Sequence, residues 1–330
     1  MTHRRSFIQA LALPLIIAAA AASPARAQGP AWPERPVKIV VGAAPGSAPD
    51  IIARLVGDQL AQTWGKGVVV DNRPGAGGNL GAQAVARAAP DGYTLWFAHA
   101  TPVVMNSFLF KNPGFDAERD FAPIVRVGLN PMMISVNPAL PVRDLKGLVA
   151  LAKEKPGKLS FATSGAKNIP HLVGESLNQI TGANIVNVPY KGSQQAAQDT
   201  VGGQTEVYID AVPPMAGLVS GPAPRLRPLA VTMERRIPGF ESVPTTREEG
   251  VDLVMQGWVA LLAPANTPRE VIEKVNRDVN AIIAKPDIAA RLRQLGTYEP
   301  GGSVAEFDRF ITEERGKWGA AVRAAKVEKE

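Results

Sequence analysis

The sequence predicts an α/β fold with mainly parallel sheets, arranged as two domains, and three observations carry that expectation. Strand-like and helix-like segments alternate along the chain. Its 330 residues exceed what one hydrophobic core usually organises. Two stretches far apart also share one design, a strand-like run that ends in a small-residue loop and then opens a helix. The first is Val37–Val41 followed by Gly42-Ala43-Ala44-Pro45-Gly46-Ser47-Ala48-Pro49-Asp50, and the second is Leu159–Thr163 followed by Ser164-Gly165-Ala166-Lys167-Asn168. Small residues let backbone N–H groups approach a ligand, and a helix N-terminus adds unpaired donors and a partial positive charge. Two such loops facing one another make a clamp for a carboxylate, which points to a binding protein for small anions.

Each element has its own signal. The first helix opens at Ser47-x-x-Asp50, a capping box with Asp in place of Glu, and Pro49 is tolerated in a first turn. Ile52, Val56, Leu60 and Trp64 then fall on one face at i+4 spacing. Residues 68–70 read as a buried strand. The turn-rich 72–79 leads into a helix near 81–89, and Asp91-Gly92 turns the chain into a strand at 93–98. From about residue 130 the pattern restarts, with strands at 132–136 and 159–163 and a helix at 145–153 between them. A strand at 186–188, a helix from Ser193, and strands at 206–210 and 227–231 follow. Beyond the turn-rich 238–244 the last section reads as mostly helical, near 268–283, 288–295 and 304–325.

The N-terminus reads as an export signal. His3-Arg4-Arg5-Ser6-Phe7 gives a positive start, residues 8–22 are apolar except for Gln9 and Pro14, and Ala25-Arg26-Ala27 is a cleavage pattern. The apolar run is short of the ~20 residues a membrane span needs. The paired arginines fit a twin-arginine signal, but Gln9 sits where Lys is usual, so the twin-arginine and general secretory routes both stay open. Removing Arg4, Arg5 and Arg26, with no acid in the segment, takes the formal charge from +6 to +3. No Lys/Arg cluster stands out in the rest, so nucleic-acid binding has no support. The absence of cysteine excludes a disulfide framework and a thiol nucleophile.

Several short motifs occur in a characteristic order. They are Asp71-Asn72-Arg73-Pro74-Gly75-Ala76-Gly77-Gly78-Asn79, Ala89-Pro90-Asp91-Gly92-Tyr93-Thr94-Leu95, Asp120-Phe121-Ala122-Pro123, Lys155-Pro156-Gly157-Lys158, Val188-Pro189-Tyr190-Lys191-Gly192-Ser193, Gly202-Gly203-Gln204 and Pro264-x-x-Thr267-Pro268. With His171-Leu172 and Val275-Asn276 they resemble the tripartite tricarboxylate transporter receptor family, the Bug-type solute-binding proteins, over nearly the whole chain after the signal. The resemblance implies a two-domain periplasmic-binding-protein (Venus flytrap) fold with a ligand cleft between the domains. It divides the chain into 1–27 as signal peptide, 28–130 with 250–330 as a discontinuous first domain, and 131–249 as the second. It further implies a periplasmic monomer that binds a small carboxylated metabolite and serves the membrane permease subunits of a tripartite tricarboxylate-type transporter, with no cofactor. The loops depart from the family pattern. Gly42-Ala43 stands where a Pro-aromatic pair is common, and Lys167 where Gly is usual.

The candidate ligand-binding residues are Ala43, Ala44, Gly46, Ser47, Ala48 and Asp50 on the first loop. Thr163, Ser164, Gly165, Ala166, Lys167 and Asn168 supply the second, and Thr101, Tyr190 and Asp210 complete the set. Lys167 either pairs with an anionic ligand or is a solvated loop lysine. Asp50 has capping as its main role. Asp210, at a strand end, either meets a ligand amino or hydroxyl group or is solvated. His171, in the first turn of a helix, is assigned a structural hydrogen bond, and Trp64, Trp258 and Trp318 packing roles. With only three histidines in the chain, a multi-histidine metal centre is excluded. The Gly75–Gly78 segment lacks the Gly-Lys-Ser/Thr ending of a phosphate loop and reads as a cleft-rim or surface turn. No Gly-x-Ser-x-Gly elbow or other catalytic motif is present. Two further readings stay open, a ligand-sensing co-receptor for a membrane signalling protein and a secreted hydrolase or lyase.

Overall fold

The computed structural model describes residues 32–324 and Lys329, and the elements below all belong to the unit that begins at Arg35. The export signal lies outside the described residues. Strand β1 (Val37–Val41) pairs in parallel with β2 (Val68–Asn72) on one side and β3 (Thr94–His99) on the other. Helix α1 (Ala48–Trp64) crosses between β1 and β2, and its Ile52, Val56 and Leu60 are fully buried, so the i+4 face packs as its spacing requires. Gly65 closes the helix in the left-handed conformation that glycine adopts freely. Trp64 donates its indole N–H to Asp278 at 2.7 Å, a packing role.

The long strand β4 (Phe121–Val136) joins the two halves of the sheet system. Its first part pairs antiparallel with β9 (Gln256–Pro264), which in turn pairs antiparallel with β3. Its last residues, Met132 to Val136, pair antiparallel with β7 (Val207–Ala211) and β8 (Arg227–Val231). Strand β5 (Leu159–Thr163) runs parallel to β6 (Ile185–Pro189) and β7. The sheets are therefore mixed rather than mainly parallel: the α/β crossovers give parallel pairs, and the strands that pass between the halves give antiparallel ones.

The sequence missed β9 and the first part of β4, and the reason is physical. Eight of the nine β9 residues are buried, so the strand has no polar alternation and cannot be told from a buried helix by period. Helix α2 (Asn79–Ala86) follows the glycine-rich turn, while α3 (Asn106–Leu109) follows a π-helical stretch at Thr101–Met105. Helices α4 (Leu145–Glu154), α5 (Ile169–Thr181) and α6 (Ser193–Val201) lie near their expected places. So do α8 (Arg269–Ile283), α9 (Pro286–Gln294) and α10 (Val304–Ala324). Helix α7 (Val212–Val219) was also missed, and its Pro213 and Pro214 fall in the first turn, where proline fits. Trp258 stacks edge-on against Phe307 and Phe310 of α10, and Trp318 is buried on the same helix.

Candidate functional site

The loop after β1 is tied down by its own polar groups. The Gly46 N–H donates to Asp50 Oδ2 at 2.8 Å, and the Ser47 N–H and hydroxyl both reach the Ala44 carbonyl, at 3.2 and 2.6 Å. The expected capping box is therefore not made. Asp50 reaches back one residue further than a box would require, and the Ser47 side chain turns away from the helix amides. Burial pushes the Asp50 carboxyl up, but Arg54 at 2.9 Å, the Gly46 amide and Asn72 outweigh it and hold it below the ordinary range. Asn72 also bonds the Ala43 carbonyl at 3.0 Å. Two of the donors the clamp would use are thus spent within the loop. Ala48, at the first helical position, has no intrahelical acceptor for its amide.

The second loop is braced differently. Asn168 caps α5 by accepting from the His171 N–H at 3.1 Å. Lys167, in the left-handed region at φ +54°, donates its own N–H to His171 Nδ1 at 2.9 Å. His171 thus has the structural role expected of it. Burial pushes its imidazole pKa down against the pull of Glu175, and the bond requires a bare Nδ1. The left-handed backbone at 167 explains why glycine suits that position. Thr163 is fully buried, and its hydroxyl bonds the Gly165 carbonyl at 3.0 Å, so it shapes the loop from behind.

Asp210 is neither solvated nor free. It is buried at the end of β7, where Oδ1 accepts from the Ala211 N–H at 2.8 Å and Oδ2 from the Tyr208 hydroxyl at 2.9 Å. Burial pushes its carboxyl up, opposed by Ser193, the Ala211 amide, Tyr208 and Ser164. These partners tie β7, α6 and the second loop together at one point.

The two loops converge on a cavity of about 570 Å³, a volume suited to a small metabolite. Ala43, Ala44, Ser47 and Ala48 line it from one side, and Ser164, Gly165, Ala166, Lys167 and Asn168 from the other, with Thr101, Tyr190 and Asp210 also on its wall. Gly46, Asp50 and Thr163 do not line it; they support the loops instead. The first loop also meets the segment after β6, where a Cβ on Gly192 would lie 2.9 Å from the Ala44 Cβ. The segment Pro74 to Gly78 forms part of the wall, in keeping with a cleft-rim turn. Sequence reasoning missed His99, Asn130, Met132, Trp258 and Lys191, which also line the cavity. The one available signal was the position of His99 at the carboxyl end of a strand parallel to β1, where α/β folds place ligands.

A family model described as tripartite tricarboxylate transporter family receptor matches residues 52–327. This chain belongs to that family. A UPF0065 protein of Bordetella bronchiseptica is 37% identical to the receptor over 98% of this chain and 97% of its own length. Among solved structures, R. palustris Rpa4515 with adipate superposes at a TM-score of 0.87 and 31% identity, covering 91% of the receptor and 100% of that chain. MatC from Rhodopseudomonas palustris with bound malate gives 0.81 and 28%, over 88% and 100%. The receptor therefore has the two-domain binding-protein fold of its relatives. Its departure at Gly42 has a local cause, because a Cβ there would lie 2.9 Å from the Gly78 carbonyl oxygen.

Proposed function

We propose that this receptor is exported to the periplasm, captures a small carboxylated metabolite in the cavity between the two loops, and hands it to the permease subunits of a tripartite tricarboxylate-type transporter. The observation that carries this reading is the convergence of two strand–loop–helix units, separated by more than a hundred residues of chain, on one cavity. The remaining candidates, from Ala43 and Ala44 to Lys167 and Tyr190, are its contact residues. The two ladders that share β4 support the division into 28–130 with 250–330, and 131–249, and closure about that strand and β9 traps the solute. The relatives solved with adipate and malate support dicarboxylates as the first acids to try.

Titration calorimetry with adipate and malate tests this, and Lys167 sharpens it. Lys167→Gly relieves a left-handed residue, so stability holds or rises by up to ~1 kcal/mol. It also removes a cation from the cavity wall, and affinity for the tighter acid falls roughly tenfold, a charge-assisted contact of ~1.5 kcal/mol. Equal affinities in wild type and variant would place Lys167 outside the contact set. Failure of both acids to bind the folded wild type would remove the dicarboxylate reading.

A further inference from the structure

His99 stands apart from the rest of the cavity wall. It ends β3, it is half-buried and lines the cavity, and its Nδ1 is shut off from water with no hydrogen-bond partner among the described residues. A buried imidazole nitrogen without a partner is costly, and such a group beside a ligand cavity calls for an explanation. The fold makes room for it at close quarters. A Cβ on Gly78, a residue at φ +96°, would lie 2.8 Å from His99 Cε1 and 3.2 Å from Nε2. Across the sheet its partner is Val259, and Pro102 packs on the same spot.

Resting on the receptor reading above, we propose that His99 is a ligand-contacting residue: its imidazole meets an acidic group of the bound solute and takes up a proton from solvent as the complex forms. The charge layout supports this. The charged residues that line the cavity, Lys167, Lys191 and Asp210, come from the loops after β5 and β6 and from the end of β7. Asp210 is occupied by its own partners, and His171 lies behind Lys167, bonded to its backbone. On the wall formed by β3, β9 and β4, the polar atoms Asn130 Oδ1 and Trp258 Nε1 are also without partners among the described residues, and among those residues His99 is the group there that can gain a charge. An extended dicarboxylate held near Lys167 at one end would present its other acid to that wall.

In the unliganded state burial alone holds the His99 pKa down to about 4, so the ring is neutral near pH 7. A carboxylate placed beside it favours the imidazolium and draws the pKa upward, so binding and protonation reinforce one another. Affinity for a dianion then rises as pH falls below neutrality, until the acid itself protonates.

The test is calorimetry with adipate and malate at about pH 6, in two buffers that differ in ionisation enthalpy, a range where histidine linkage is visible. Wild type is expected to take up more protons on binding than His99→Gln, which keeps a polar side chain but cannot titrate. The acid's own titration is common to both proteins and cancels in the comparison. Between about pH 7.5 and 5.5 wild-type affinity for the tighter acid should rise roughly fivefold more than that of the variant. Gly78→Ala, which displaces the ring without removing it, should also weaken binding. Wild-type affinity and proton uptake in His99→Gln would overturn the proposal and leave the receptor reading standing. A loss of affinity with unchanged proton uptake would overturn it as well, since the ring would then only shape the wall. No binding of either acid by folded wild type would overturn both.

Discussion

Gly81→Ala is expected to destabilise the protein by about 1–3 kcal/mol, although it exchanges the poorer helix former for the best one. Gly81 lies in α2, and a Cβ there would sit 2.5 Å from Gly42 Cα and 3.0 Å from Gly42 N. Both atoms belong to the backbone, so no side chain can swing aside, and α2 must move off the loop after β1. That movement drags the glycine turn that lines the cavity, so ligand affinity should fall with stability. Gly316→Ala provides the contrast. It is an exposed position in α10 with nothing among the described residues within 4 Å of the added Cβ, and there the same exchange should stabilise by ~0.5–1 kcal/mol. Urea unfolding midpoints with unchanged slopes measure both. A gain at Gly81 equal to that at Gly316 would mean the contact is slack.

The second large effect is acid sensitivity. His99 has an ordinary pKa of 6.5 when unfolded and about 4 when folded, so between those values the unfolded chain binds more protons than the native one. Stability is then fully present above pH 6.5 and is lost as pH falls toward 4. At ~1.4 kcal/mol per unit, the loss reaches at most about 3 kcal/mol, since His99 is only half-buried and lines a cavity that water can enter. His99→Gln removes this titration, so the ligand-free variant should lose less stability than wild type over that interval. The comparison cancels the carboxylates, such as Asp120 and Glu306, whose lowered pKa values also make stability fall in acid. Parallel stability-against-pH curves for the two proteins would show that the His99 ring is well hydrated in the native state.

Much of the fold is legible in local pattern, because α/β crossovers are local units. Val37–Val41, Leu159–Thr163 and Arg227–Val231 lie where apolar runs bounded by turn residues put them. The strands that were missed were decided by long-range pairing. Strand β9 owes its strand state to β3 and β4, more than a hundred residues earlier in the chain, and after Gln256 its sequence is apolar and carries no period. The site divides in the same way. The two small-residue loops were visible as motifs, yet no motif shows which amides a loop consumes internally, and Gly46 and Ser47 consume theirs. His99, Asn130 and Trp258 are brought onto one wall by β3, β9 and β4 pairing side by side, which no sequence window contains.

A carboxylated solute is expected in the cavity between the two loops. The most direct measurement is a crystal structure of the receptor grown with whichever of adipate and malate binds it more tightly. Density for the acid is expected inside the cavity, one carboxylate against the loop Ser164 to Lys167 and the other facing His99. Density confined to the second cavity, about 630 Å³ beside Glu314, Lys317 and Trp318, with the loop cavity holding only water, would contradict it.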